Sequence, residues 1–410
     1  MSFVGWLDHS EDEQTRMREL LGMFESRGTV DDLGLGTIRD TISNRLFPGT
    51  SVIQTRARYY LFVPWIFMRA EQRHRSKVLD KAEDMERHLV LALQRGPETR
   101  GVIGSRAGKD VRTLPSAIYW SGLATYRIFL KRGLTRSQYD RAVRRERPRA
   151  EVEDELAERS DALWQRSIPN PPEGFFDFDV ADFELSSGEA KWLCERVLST
   201  EIEGEQNLLC DYVRLLLAGE SVPADAFWSE PLPERSSEGT GELVRHALLF
   251  SYANEVAATL YNIMLHEQRA DHTKADLATA EELRSALDDW AESPKASELG
   301  EWCSDLSGFW LLMSQRTRVP MLTKSFVDGW ASLVSTTEVE DLADNPAARD
   351  LIRTREIQHK KGLARFHNDN RLAEWNGSAG LDPLEYRWTQ VHRLLTDLDE
   401  GLNGRSKIAS

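Results

Sequence analysis

Three polar residues of types used in acid–base catalysis fall on one line of a predicted helix. Glu255, Asn262 and His266 share a narrow strip of residues 242–268, whose other positions are apolar nearly all the way round. A carboxylate, an amide and an imidazole on one face could form an acid–base site or bind a metal ion. The same strip is also typical of the polar edge of a buried helix, or of an internal hydrogen-bond network, and the HExxH motif is absent. The sequence therefore predicts no metal site and leaves these residues as the candidate catalytic set.

Two arginines, Arg56 and Arg58, adjoin an apolar run that must be buried. They belong to residues 46–69, LFPGTSVIQTRARYYLFVPWIFMR, which crowd aromatic residues and prolines into one segment. The planar fork of an arginine side chain suits a phosphate or a carboxylate. Because buried unpaired charge is rare, one interpretation pairs both arginines with carboxylates that fix the segment against another helix. The other interpretation makes them contacts for the phosphates of a nucleic acid.

A second set of cations lies in residues 127–149, where nine lysines and arginines accompany two acidic residues. On a helix, one broad basic side would carry Arg136, Arg141, Arg144, Arg145, Arg147 and Arg149. Such a face is typical of contact with a phosphate backbone or with an acidic protein. The alternative is that the acidic segment 151–161 folds back and neutralises it.

A third set of cations follows in residues 349–371. Its candidate nucleic-acid contacts are Arg349, Arg353, Lys360 and Lys361. The alternative is a solvated helix face with local ion pairs, which contribute little to binding or to stability. As with the second set, the pattern alone does not show whether these side chains face outward.

Composition limits the classes of protein that fit. The chain has 410 residues, 40% of them apolar, and a net charge of −15, so only local basic surfaces could attract nucleic acid. Its three cysteines lack CxxC spacing, which favours a reducing compartment over a disulfide framework or a zinc site. The start of the chain lacks a signal-peptide pattern, and its longest apolar run, residues 59–68, is too short to cross a membrane. The sequence predicts a cytoplasmic protein with no membrane contact and no cofactor.

The element pattern predicts a mainly α protein. We expect a multi-helix bundle around the hydrophobic helix of residues 242–268, with few or no strands. Residues 135–138, 186–189 and 279–282 match the capping-box pattern that begins a helix. The proline-rich stretch 168–174, IPNPPEG, suggests an N-terminal helical region, 1–170, and a C-terminal helical region, 171–410. A single helical domain is the alternative.

The first seventy residues carry a family resemblance. Residues 5–8 read GWLD, residues 33–36 read LGLG, and residues 46–65 contain LFPGTS, TRARY and PW in that order. This pattern resembles an uncharacterised bacterial family, a domain of unknown function. The resemblance implies no established activity and assigns no catalytic residue. Members of that family look associated with anti-phage defence islands, near genes for helicases and nucleases.

Together these features favour a binding protein over an enzyme. The leading hypothesis is a non-catalytic subunit of a bacterial anti-phage defence system. Its arginine-rich helices would bind DNA, RNA or a partner protein of helicase-like or nuclease-like type. The first alternative is a nuclease or hydrolase that uses Glu255, Asn262 and His266. The second is a scaffold that binds only proteins, with Trp228 in the loop 219–241 as a candidate anchor.

Overall fold

A computed structural model describes most of the chain. The described residues are 31–74, 76–131, 133–145, 162–200, 206–229, 231–234, 236–269, 274–315 and 317–404. The acidic segment 151–161 and the arginines at positions 147 and 149 lie outside them, and so do the side chains of Arg144 and Arg145. The predicted neutralisation of the arginine helix by that segment therefore stays a prediction.

The mainly α fold is confirmed. Over the described residues the chain forms fifteen α-helices. They are α1 (Gly36–Leu46), α2 (Tyr59–Arg73), α3 (Val78–Gln94), α4 (Pro115–Thr125), α5 (Tyr139–Arg145), α6 (Ser187–Leu198), α7 (Leu208–Leu217), α8 (Glu238–Arg269), α9 (Lys274–Ala291), α10 (Pro294–Ser304), α11 (Ser307–Ser314), α12 (Met321–Val334), α13 (Pro346–Lys360), α14 (Asp369–Ala373) and α15 (Trp388–Leu402). Extended pairing in this part of the chain is limited to one isolated antiparallel bridge, between Phe129 and Trp164.

The helices divide into two compact units, and neither unit is one continuous stretch of chain. The described parts of the first unit are residues 47–237 and 387–404, with α2 to α7 and α15. Those of the second unit are residues 31–46 and 238–386, with α1 and α8 to α14. The predicted division at residue 170 falls inside the first unit.

In the first unit, the aromatic segment forms the buried helix α2. Every residue from Tyr59 to Phe67 is buried, and α2 packs against α3 and α4. Arg56 and Arg58 immediately precede this helix, so burial of α2 draws both guanidinium groups to the edge of the core. At another part of the same unit, α15 packs against α6 and α7.

In the second unit, the long helix α8 is the central element. It has 32 residues and contacts α1, α9, α10 and α13. Contact on several sides explains why its sequence is apolar nearly all the way round. The predicted hydrophobic helix of residues 242–268 lies wholly within it.

Two of the three predicted capping boxes are present. The Thr135–Gln138 and Ser186–Glu189 pairs each make both reciprocal contacts, and the second of them begins α6. The prediction for residues 279–282 is wrong, because Thr279 lies inside α9 and its hydroxyl donates to the Ala275 carbonyl at 3.2 Å. A Ser/Thr-x-x-Glu pattern also fits a helix interior, where the hydroxyl bonds to the carbonyl four residues back.

Candidate functional site

Arg56 is held inside the first unit by a carboxylate far away in the chain. Its Nε lies 3.0 and 3.1 Å from the two carboxylate oxygens of Asp397, and the two side chains are only 6% and 1% exposed. A second guanidinium nitrogen donates to the Arg100 carbonyl at 3.2 Å, and the Phe183 ring lies 4.5 Å from the guanidinium carbon. Arg56 therefore fixes the start of α2 to α15.

Arg58 also pairs with carboxylates of its own chain. It donates to Asp182 at 2.5 Å and to Glu189 at 3.2 Å. Glu189 is the third residue of α6, and its carboxylate accepts the Ser186 N–H at 2.7 Å. The capping box and the arginine thus hold one carboxylate from two sides. A phosphate contact by Arg56 or Arg58 stays a prediction that these geometries do not favour.

Unlike Arg56, Arg58 borders a cavity of about 400 Å³, which we call the Arg58 cavity. It lies between the proline-rich segment and the first turns of α6. Its lining includes Arg58, Pro169, Pro172, Gly188, Glu189 and Trp192. The volume falls in the range of small-molecule sites, roughly 300–1,000 Å³. A buried ion pair on one side and an indole with two prolines on the others give this cavity both polar and apolar surface.

Sequence reasoning missed most of the Arg58 cavity. It identified Arg58 by residue type and Glu189 as a helix cap, but it gave Trp192 no role. It treated the prolines of residues 168–174 as a connection between regions. The available signal was weak, since a tryptophan six residues after an N-cap serine is common on an amphipathic helix.

Two arginines of residues 136–145 have side chains that the structure describes, and they differ in their surroundings. Arg136 donates to Glu83 at 2.5 Å and to the Ser116 hydroxyl at 2.7 Å, so it fixes α4 beside α3. Arg141 is exposed on α5. The sequence predicted both as nucleic-acid contacts, and both stay predictions: Arg141 is exposed, whereas Arg136 is partly exposed and already paired with Glu83.

Glu86 lies beside the Arg136 contacts and is fully buried, at 0% exposure. Its two carboxylate oxygens accept the Ser116 N–H at 2.6 Å and the Ser116 hydroxyl at 2.7 Å. Burial raises the pKa of Glu86 from 4.5 to about 7, although the charge of Arg136 acts in the opposite direction. Near neutral pH the buried Glu86 carboxyl is therefore present in both its protonated and its ionised form.

We expect Glu86 to make the stability of the protein depend on pH. Because its pKa is higher in the folded state, its stabilising contribution is complete below about pH 4.5 and is lost as the pH rises through about 7. The free energy of unfolding should fall by roughly 3 kcal/mol over this window. Glu86→Gln, which does not ionise, should remove this fall in urea-unfolding measurements across the range. The exposed control Glu281→Gln should retain it, and equal slopes for wild type and Glu86→Gln would contradict the prediction.

A basic surface forms where α5 meets α2 and α3. Tyr139 of α5 hydrogen-bonds to Glu71 near the end of α2, and Asp140 accepts the Leu79 N–H at 2.7 Å near the start of α3. These contacts bring Arg141 beside the turn between α2 and α3. Exposed cationic or titratable side chains there include Arg73, His74, Lys77 and Arg141, and we call these four residues the basic junction; one exposed carboxylate, Asp80, follows in the first turn of α3. Sequence reasoning did not single out the turn.

The four candidate cations of residues 349–371 fall into an ion-paired group and an exposed group. Arg349 pairs with Glu267, and Lys360 pairs with Asp32 while its Nζ donates to Glu356 at 3.3 Å. The Lys360–Asp32 pair is largely buried in the second unit, whereas the Arg349–Glu267 pair is 25% and 27% exposed. Arg353 and Lys361 are exposed, and the guanidinium of Arg353 lies 5.5 Å from the Phe366 ring centre. All four stay predicted nucleic-acid contacts, and for Arg349 and Lys360 such a contact would compete with their ion pairs.

The strip of polar residues on α8 that the sequence singled out fixes a loop of the second unit by hydrogen bonds. Asn262 is 0% exposed, and its side-chain amide bonds to both the N–H and the carbonyl of Ala379, at 2.9 and 2.7 Å. The Nδ1 of His266 lies 2.7 Å from the Asp276 carboxylate. Glu255 is half-buried. These contacts give Asn262 and His266 a structural role, and catalysis by the three residues stays a hypothesis.

No helix among the described residues is long and apolar enough to cross a membrane. Within the same ranges, no three or more His, Cys, Asp and Glu side chains come together in a group that could hold a metal ion.

The described residues form a mainly α protein with two compact units, internally paired arginines and, in the first unit, the Arg58 cavity. The chain belongs to the family of unknown function DUF6361, whose family model matches residues 1–401. The family resemblance of the first seventy residues thus extends over nearly the whole chain. No curated protein and no solved structure matches the chain.

Proposed function

We propose that the protein is a non-catalytic subunit of a bacterial anti-phage defence system, and that it binds nucleic acid and partner proteins in the cytoplasm. The basic junction is the surface that would contact the phosphates. The observation that carries this proposal is the exposure of Arg73, Lys77 and Arg141 around one docked helix, on a chain of net charge −15. Phosphate contacts supply most of the affinity of non-specific nucleic-acid binding.

The packing of α5 supports this assignment. Asp140 is turned inward onto the start of α3, while its neighbour Arg141 is exposed. The carboxylate of half-buried Asp140 is thereby engaged by the Leu79 N–H of its own chain. Arg353 and Lys361 form a smaller candidate surface on the second unit.

The defence-system part of the proposal rests on the N-terminal resemblance described above. Its partner would be a helicase-like or nuclease-like protein. Purification of the tagged chain from its native host, followed by identification of the proteins that remain bound after a high-salt wash, tests this half. Recovery of such a partner supports it, whereas recovery of the chain alone contradicts it.

We expect charge reversal in the basic junction to weaken binding to single-stranded and duplex DNA. Arg141→Glu should lower affinity for both, and should reduce the slope of log affinity against log salt by about one unit per lost phosphate contact. Fluorescence anisotropy over a salt series measures both quantities. Arg318→Glu makes the same charge change at an exposed site of the second unit and should leave both quantities near wild type.

Three results would contradict this assignment. Absence of binding to either substrate at low salt removes the nucleic-acid role. Equal effects of Arg141→Glu and Arg318→Glu would show that net charge, rather than the basic junction, determines the affinity. A loss in Arg353→Glu without a loss in Arg141→Glu would move the contact to the second unit.

A further inference from the structure

We propose that the Arg58 cavity binds a guanine base. This inference does not depend on the basic junction, because the cavity uses other residues. It rests on three features of the described residues: a preformed aromatic wall, a fixed carboxylate, and a balance of charge that excludes strongly charged ligand groups from the interior.

The walls of the cavity are held in place before any ligand enters. The indole N–H of Trp192 donates to the Ser167 hydroxyl at 3.1 Å, which fixes the ring. The indole N–H of Trp65 donates to the Pro169 carbonyl at 2.7 Å, which anchors the proline-rich segment to α2. Pro169 and Pro172 add backbone stiffness, since proline fixes its φ angle. A flat ring could therefore enter without ordering the site, which lowers the entropic cost of binding.

The charges around the cavity oppose a ligand that is strongly charged in its interior. Arg58 and the positive end of the α6 dipole disfavour an ammonium or guanidinium group. Glu189, together with the nearby Asp182 that also pairs with Arg58, disfavours a phosphate or carboxylate at the same depth. A neutral heterocycle that exchanges hydrogen bonds with these groups is the ligand class that remains.

The fixed carboxylate selects among neutral heterocycles. An ionised carboxylate only accepts hydrogen bonds and has about four lone-pair sites. Arg58 and the Ser186 N–H use part of them, and both hold the group in position. Guanine offers two adjacent donors, N1–H and N2–H, along its Watson–Crick edge. Adenine has an acceptor at N1, which would face the acceptor-only carboxylate.

The aromatic wall and the rim complete the fit. Bases bound by proteins commonly stack on an aromatic side chain, and the Trp192 ring lines the cavity. Gly188 lies at the rim in the first turn of the 12-residue helix α6. The N–H groups of a first helical turn lack intrahelical carbonyl partners and favour phosphate; the Ser186 hydroxyl already accepts the Glu189 N–H at 3.2 Å, so the phosphate of a guanine nucleotide would lie at the rim, near the N–H groups that precede Glu189.

The base could come from either of two sources, a free guanine nucleotide or an unpaired guanine in a nucleic-acid strand. Titrations of the full chain with GMP, and with a thymidine oligonucleotide that contains one central guanine, separate the two. AMP and the all-thymidine oligonucleotide are the matched ligands without guanine. Arginine methyl ester tests the rival class of ligand, a guanidinium that stacks on Trp192.

Gly188→Tyr is the blocking variant. A Cβ atom added at Gly188 meets no atom within 4 Å, so the fold tolerates the substitution, while the phenol ring occupies the mouth of the cavity. Gly239→Tyr is the matched control, because Gly239 lies in the first turn of α8 and also has open space around its Cβ position. We expect Gly188→Tyr to weaken binding of the guanine ligand by about tenfold or more, and Gly239→Tyr to leave it unchanged.

Glu189→Gln gives a second readout in the same measurement. Its amide adds a donor beside the remaining acceptor, so the preference for GMP over AMP should shrink, and Gln also fits the capping box.

Binding of GMP alone assigns the free nucleotide, and binding of the guanine oligonucleotide alone assigns the strand. The proposal is overturned if neither binds, if guanine and adenine bind equally, if arginine methyl ester binds in their place, or if Gly188→Tyr has no effect. The all-thymidine oligonucleotide reports on the basic junction alone, so failure of the two proposals can be distinguished.

Discussion

Replacement of Arg56 by methionine is expected to destabilise the protein by roughly 3–5 kcal/mol. The variant removes the main partner of Asp397, whose side chain is 1% exposed, and leaves a buried carboxylate. Arg393 also approaches Asp397, at 3.5 Å, but it is 27% exposed and cannot replace the lost guanidinium contacts. Methionine retains much of the aliphatic volume of arginine, so the loss reports on charge and hydrogen bonding rather than on a void.

The same variant should show a characteristic dependence on pH. Burial raises the pKa of Asp397, and Arg56 acts against that rise. Without Arg56 the pKa of the folded state increases further, so stability is lost over a wider range as the pH rises. The deficit relative to wild type should be larger near about pH 8 than near about pH 5 in urea-unfolding experiments.

Arg39→Met is the matched control for Arg56→Met. Arg39 pairs with Asp40 at 3.3 Å, but the two side chains are 32% and 41% exposed. An exposed pair contributes about 0–1 kcal/mol, so this variant should remain close to wild type. Similar losses in the two variants would contradict a structural role for the Arg56–Asp397 pair.

The local elements of this fold were predictable from the sequence because their signals are local. The length and apolar character of residues 242–268 predicted α8, and the Ser186–Glu189 pattern predicted the start of α6. Both signals span a few helical turns. The failed capping box at Thr279 shows the limit, since the same residue types also occur in the interior of a helix.

The partners of the charged residues were not predictable, because they come from distant parts of the chain. Arg56 and Asp397 are 341 residues apart, and Arg58 and Glu189 are 131 residues apart. Residue type alone made every arginine in the clusters a candidate for phosphate contact. Packing separates a buried cation such as Arg56 from an exposed one such as Arg141.

The basic junction and the Arg58 cavity have the same origin. Each lies where a connecting segment packs beside a helix: a short basic turn beside α5, and a proline-rich connection beside α6. Neither segment carries a motif by itself. A single sequence therefore predicted the helices of this protein better than the surfaces that those helices create.

In the second unit, Glu356 organises a densely connected buried polar group. Its carboxylate accepts the Tyr261 hydroxyl at 2.6 Å, the Arg365 N–H at 2.9 Å and the Phe366 N–H at 3.1 Å. Lys360 approaches it at 3.3 Å from the same helix. Glu356 itself is 0% exposed. One carboxylate thus joins α8, α13 and the turn that follows α13.

Replacement of Glu356 by alanine should therefore destabilise the second unit by roughly 3–5 kcal/mol, because it leaves the Tyr261 hydroxyl and the Arg365 and Phe366 N–H groups without this acceptor and leaves Asp32 as the remaining ion-pair partner of Lys360. Thermal and urea unfolding measure the loss. Hydrogen exchange should place the loss of protection in α8 and α13 rather than across the whole chain, provided that the second unit opens locally. The control Glu281→Ala, at an exposed position of α9, should change the free energy of unfolding by no more than about 0.5 kcal/mol. Equal stability of Glu356→Ala and Glu281→Ala would show that Tyr261, Lys360 and the turn amides find other partners, and that Glu356 does not hold this group together.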